Sequence, residues 1–160
     1  MKLCVGCGTR AEGDVNVDFD LGTKMRGQPI NAKIISNFVL ADASQLPFRE
    51  DSFSLVVARH VLEHLPEPLK ALREWRRVST DAVEVYVPSQ YYCEPSEPNH
   101  LFSWNRDSLN NLMRQVFSHV DAHYTSPAFE NIEHNYKTAL VNLYSRLFGF
   151  WIQIKAVGYV

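Results

Sequence analysis

Two glycines, two aspartates and a short histidine–glutamate run are the residues of this chain whose types and spacing can do chemistry. Gly6-Cys7-Gly8-Thr9 directly follows the apolar run Leu3-Cys4-Val5. A strand that breaks into glycines presents bare backbone, on which a nucleotide-like ligand can lie without meeting a β-carbon. Two acids close later apolar runs: Asp18 in Val15-Asn16-Val17-Asp18, and Asp42 in Phe38-Val39-Leu40-Ala41-Asp42. If those runs are parallel neighbours, Gly6, Asp18 and Asp42 share one sheet edge.

Three other patterns have weaker support. His60-Val61-Leu62-Glu63-His64 has the spacing of a zinc-peptidase motif, which needs both histidines on one face of a stable helix. Here the run starts off a strand and Pro66 and Pro68 follow at once, so no metal is expected. Cys4-Val5-Gly6-Cys7 has redox-pair spacing, but Cys4 falls inside a strand and no helix of the required length follows. Cys4 reads as core and Cys93 as a loop thiol. Gly6-x-Gly8-x-x-Ala11 lacks the helix of a dinucleotide fingerprint, and Asp18 comes far short of the acid expected about 20 residues on.

The elements that must position these residues alternate short apolar runs with helical periodicity, the pattern of an α/β sheet with flanking helices. Strands are expected at 2–5, 15–19, 37–41, 54–58, 82–87, 118–125 and 151–159. Ser54-Leu55-Val56-Val57-Ala58 lacks alternation, as a central strand covered on both faces should. Helices are expected over 67–78, over 106–117 with Asn105 as N-cap, and over 131–148 with Gly149 as its stop. Arg73, Arg76 and Arg77 read as a solvated helix face, and His119 and His123 as strand residues without chemistry. Only Thr9 to Asp14 separates the first two strands, too little for an ordinary crossover helix. A parallel pair is expected all the same, with the first crossover helix missing or minimal.

The 160 residues suit one domain, residues 1–160, with a proper core. A formal charge of −2 gives no reason to expect a nucleic-acid or membrane surface. Three cysteines suit a reducing, cytoplasmic setting, and neither a signal peptide nor a membrane-crossing run is seen.

Asp42-Ala43-Ser44-Gln45-Leu46-Pro47-Phe48, then Asp51-Ser52-Phe53-Ser54-Leu55-Val56-Val57, then Val61-Leu62-Glu63-His64-Leu65-Pro66, resembles the class I S-adenosylmethionine-dependent methyltransferases. The likeness is greatest to a short form of the small-molecule, type 11-like branch that includes the quinone-biosynthesis enzymes. It runs over residues 2–88, and more loosely through His100-Leu101-Phe102-Ser103 and the helix after it. The resemblance implies a Rossmann-like fold, mostly parallel with an antiparallel C-terminal strand, and S-adenosyl-L-methionine as cofactor. It implies that Gly6, Cys7 and Gly8 shape the loop under the methionine part, and that Asp18 accepts both ribose hydroxyls. Asp42 would take the adenine amino group with the Ala43 N–H at the ring, and Arg59 and His60 would line the sulfonium end. A carboxylate suits these roles because it can accept two hydroxyl donors at once.

Methyl transfer from a sulfonium needs a base only if the acceptor carries a proton that must leave. His60, His64 and His100 are the candidates for it, and Tyr91 and Tyr92 could orient a small-molecule acceptor. Cover for the site is expected from the 89–104 loop, the 126–148 segment, or another subunit such as a homodimer partner. The aromatic tail Tyr144, Phe148, Phe150, Trp151 and Tyr159 is expected to bury against the sheet. A non-catalytic module that binds the cofactor or a partner is the rival reading.

Overall fold

The computed structural model describes residues 1–20, 31–90, 99–125 and 152–160. The expected strands all form: β1 (Lys2–Val5), β2 (Val15–Asp18), β3 (Phe38–Leu40), β4 (Phe53–Arg59), β5 (Ser79–Pro88), β6 (His119–Thr125) and β7 (Gln153–Tyr159). They make one sheet of order β3-β2-β1-β4-β5-β7-β6. β1 runs parallel to β2 and β4, β2 to β3, and β4 to β5. β7 is antiparallel to both β5 and β6. This is the Rossmann-like arrangement expected, and it places the carboxyl ends of β1, β2 and β3 side by side.

Residues 6–14 join β1 to β2 without a helix. Side chains hold this short crossover instead. Fully buried Asn16 accepts from the Gly13 N–H at 3.0 Å and donates to Gly13 O at 3.0 Å and Ser36 O at 2.9 Å. The Lys2 N–H donates to Asp14 Oδ2 at 2.7 Å, and the Asp14 N–H returns to Lys2 O at 2.8 Å. The connection lies so close to the sheet that a Cβ on Gly13 would stand 2.7 Å from the Cys4 nitrogen. Only glycine fits there.

Helices α1 (Pro68–Val78) and α2 (Arg106–Met113) cover one face. Leu3, Val5, Val17, Val56, Ala58, Val83, Val85 and Val87 point to that side by strand alternation. They form one core with Leu72, Trp75, Val78, Leu109 and Met113. Burying each such side chain contributes about 1.5–3 kcal/mol. Asn105 caps α2 as expected, accepting from the Ser108 N–H at 2.8 Å while Ser108 Oγ takes the Asn105 N–H at 3.0 Å. α2 stops at Met113, short of the expected 117, because the next amides bond to Leu112 O and Met113 O in tight turns. Phe117 still packs inward, lying over Gly158, where a Cβ would collide with its ring.

The opposite face of the sheet carries an ion-pair stripe. Arg59, Tyr86 and Lys155 are register neighbours across β4, β5 and β7. The Arg59 guanidinium lies 3.7 Å from the Tyr86 ring centre, and its Nε bonds Glu12 at 2.7 Å. Cys4 is buried beside this stripe, and burial, with Glu12 adding to it, pushes its thiol up to about 11. That removes the redox-pair reading, since the thiolate is the reactive form. The expected helix 131–148, Tyr91, Tyr92, Cys93 and most of the aromatic tail lie outside the described residues. Among the described residues, no helix is long and apolar enough to cross a membrane.

Candidate functional site

Gly6 and Gly8 both take left-handed backbone, φ 64° and 53°, where the chain turns off β1. A Cβ on Gly6 would run into the Val61 side chain, so the loop lies directly against the segment leaving β4. The Gly8 N–H donates to Asp18 Oδ2 at 2.8 Å, and the Asp20 N–H to Asp18 Oδ1 at 3.2 Å. Asp18 is 2% exposed, so the protein's own amides offset much of the cost of burying its charge.

Asp42 sits one strand over. The Ala41 N–H bonds Asp18 O at 3.1 Å, and Asp42 Oδ1 accepts from the Ser44 N–H at 2.7 Å, closing a tight turn. Helix α1 fixes the following motif from below. The Trp75 indole donates to Ala43 O at 2.9 Å, and Glu74 Oε1 accepts from the Leu46 N–H at 2.8 Å. Arg77 donates to Phe48 O and Leu46 O at 3.0 and 3.3 Å and pairs with Glu74 at 2.7 Å. Its hydrogen bond holds the Glu74 carboxyl below the ordinary range, against the opposing effect of burial. Arg77 is therefore a clamp on residues 42–48 and not a solvated arginine. Arg73 and Arg76 are exposed, as expected.

Beyond β4 the backbone turns at His60 with φ 54° and enters a 3-10 turn, Leu62–His64. No α-helix forms there, consistent with the two prolines that follow. His60 Nε2 lies 3.1 Å from Gln153 Oε1, and its Nδ1 lies 3.5 Å from Glu63 Oε1. Glu63 is fully buried, yet neither carboxylate oxygen has a hydrogen-bond partner among the described residues. His64 Nδ1 is 3.0 Å from Asn99 O, and its ring meets that of His100 edge-on with centres 4.7 Å apart. The Leu101 N–H donates to Glu63 O at 2.8 Å, which draws the segment holding His100 onto this turn.

The two aspartates, the glutamate and the three histidines of these turns line one cavity of about 940 Å³. Gly6, Asp18, Asp42 and Ala43 line one side, and His60, Glu63, His64 and His100 the other. Among the described residues its walls include five carboxylates, from Asp18, Asp20, Asp42, Glu63 and Glu67, against the single ammonium of Lys70. A cavity of that size with excess negative charge fits a small polar ligand bearing a fixed positive charge.

One expectation for the site residues is corrected. Arg59 does not line the cavity: its place in the strand alternation turns it to the opposite face, toward Glu12 and Tyr86. Cys7 is buried with Sγ toward Gly8 O, and the Gly8 N–H donates to Asp18. The alternation of β4 signals the Arg59 orientation, since Val57 and Arg59 share a parity that Ala58 does not. Glu63, Glu74 and Trp75 are site-building residues that the sequence reading missed; only the periodicity of α1 pointed to Trp75.

A family model described as a methyltransferase domain matches residues 3–83. Solved structures share the fold at low identity. A SAM-dependent methyltransferase from Thermotoga maritima is 16% identical with TM-score 0.70, covering 99% of this chain and 81% of its own. A phosphoethanolamine N-methyltransferase of Haemonchus contortus, in complex with S-adenosylhomocysteine, is 14% identical with TM-score 0.67, covering 99% of this chain and 48% of its own. The cyclase SpnF is 17% identical with TM-score 0.64, covering 98% and 74%. No curated protein sequence matches the chain.

Proposed function

The chain belongs to the methyltransferase domain family, and from that premise we propose that it transfers a methyl group from S-adenosylmethionine to a small-molecule acceptor. One observation carries the reading: Asp18 and Asp42, far apart in sequence, line the same cavity beside the bare backbone of Gly6. The donor set fits the cofactor. Asp18 would accept from the ribose hydroxyls, Asp42 from the adenine amino group, and the Ala43 N–H would meet the ring. The acidic walls suit a sulfonium better than basic walls would.

When bound, the cofactor supplies an activated methyl whose leaving group departs as a neutral thioether. The chain's work is to hold an acceptor atom in line with it, a contribution of up to about 7–11 kcal/mol in favourable systems. Where the acceptor carries a proton, His60, His64 and His100 are the imidazoles at this wall of the cavity.

The test is turnover: the chain is incubated with S-adenosylmethionine and panels of small amine, hydroxyl and thiol acceptors, and S-adenosylhomocysteine is quantified. Acceptor-dependent product supports the reading. Tight cofactor binding with no product on any panel favours a non-catalytic binding module, a reading for which the methyltransferase-like cyclase SpnF is a reminder that the fold hosts other chemistry.

A further inference from the structure

We propose that Glu63, His64 and His100 form a binding site for one divalent transition-metal ion at the mouth of the cavity. One ligand atom from each lies within 4.8 Å of the others. Three ligands on one tetrahedral zinc-sized ion stand about 3.4 Å apart, so the cluster closes on an ion by a shift of up to about 1.4 Å. Exposed His100 can supply that movement by rotating its side chain.

Three observations converge independently of that spacing. The Glu63 carboxylate is fully buried with neither oxygen hydrogen-bonded among the described residues, a costly arrangement unless a cation or proton completes it. His60 Nδ1 lies 3.5 Å from Glu63 Oε1, too long for a good hydrogen bond. His64 has a backbone carbonyl, Asn99 O, at 3.0 Å from Nδ1. That partner fixes the proton on Nδ1 and leaves a lone pair on Nε2, the tautomer a metal-ligating histidine needs. Finally, the backbone bonds from Leu101 and Phe102 to Glu63 O lock the segment bearing His100 beside the 3-10 turn.

Two imidazoles and one carboxylate select zinc, cobalt, nickel or ferrous iron over magnesium or calcium, which prefer all-oxygen shells. Three protein ligands on a cavity wall leave a coordination position open toward the cavity, as in catalytic metal sites. This arrangement differs from the helical zinc-peptidase geometry rejected on sequence grounds, because the second histidine comes from a distant segment and His60 is not a ligand. The site shares His64 and His100 with the methyl-transfer reading but does not depend on it, and its test needs no activity.

The full chain is stripped with a chelator and titrated with zinc ions by equilibrium dialysis, with cobalt(II) absorbance as a second readout. The expected result is one ion per chain, with affinity reduced roughly tenfold or more in both His100→Ala and Glu63→Gln. His100 is exposed, so its variant keeps the fold and decides the matter if Glu63→Gln does not fold. No uptake by the wild type at tens of micromolar zinc overturns the proposal, as does uptake that His100→Ala leaves unchanged.

Discussion

Asp18 and Glu63 are both buried carboxylates on the wall of one cavity, and their surroundings differ sharply. Asp18 accepts backbone N–H donors on both oxygens, from Gly8 and Asp20. Glu63 accepts none among the described residues. The first site is built from three strand ends whose loops aim amides inward, so its charge is stabilised whether or not a ligand is bound. The second lies on a turn forced out of helical geometry by prolines, and its backbone amides point elsewhere. The contrast teaches where the protein is preorganised: the Asp18 carboxylate is completed by the chain's own amides, and the Glu63 carboxylate is not.

The largest expected effect breaks the comparison from the Asp18 side. Asp18→Ala leaves the Gly8 and Asp20 amides without their acceptor, and thermal or urea melts should show a loss of about 1–3 kcal/mol. Glu63→Gln, melted in the presence of chelator, should match or exceed wild-type stability, because it removes a charge that no donor stabilises. A loss as large as that for Asp18→Ala would mean the two carboxylates are equally engaged. Trp75→Phe removes the indole bond to Ala43 O while keeping most of the ring volume. A cost of about 1 kcal/mol in melts is expected, localised by faster amide exchange over residues 42–48.

The smallest effect is acid sensitivity. Arg77 holds the Glu74 carboxyl below its ordinary range, so the pair's stabilisation is fully present above the unfolded carboxylate pKa near 4.3. It fades as pH falls through the lower folded value. Glu74→Gln should therefore cost less than about 1 kcal/mol at neutral pH and nothing once both states are protonated. Melts from pH 7 to pH 3 that show a constant difference would deny the clamp its charge.

Much of the Asp18–Asp42 side was legible in the sequence because it is written by local rules. Apolar runs ending in glycine or aspartate give parallel strands with those residues at one edge, and even the helix-less crossover followed from its length. The bonds that make that crossover stable were not legible, since Asn16 reaches Gly13 and Ser36 through tertiary geometry. The strand expected at 82–87 begins earlier, at Ser79, with its register against β4 shifting between Phe53 and Leu55. The histidine side was hardest to read. Its motif suggested a helix that prolines forbid, and bringing His100 to Glu63 depends on a backbone contact between distant segments.

The most direct test of the central claim is calorimetric titration of S-adenosylmethionine into the wild type and into Asp42→Ala. Asp42 is exposed on the cavity wall, so its replacement leaves the fold intact. One site per chain, with affinity in the variant reduced roughly tenfold or more, is the predicted result. No binding to the wild type, or equal affinity in the two proteins, would contradict the assignment of this cavity to the cofactor.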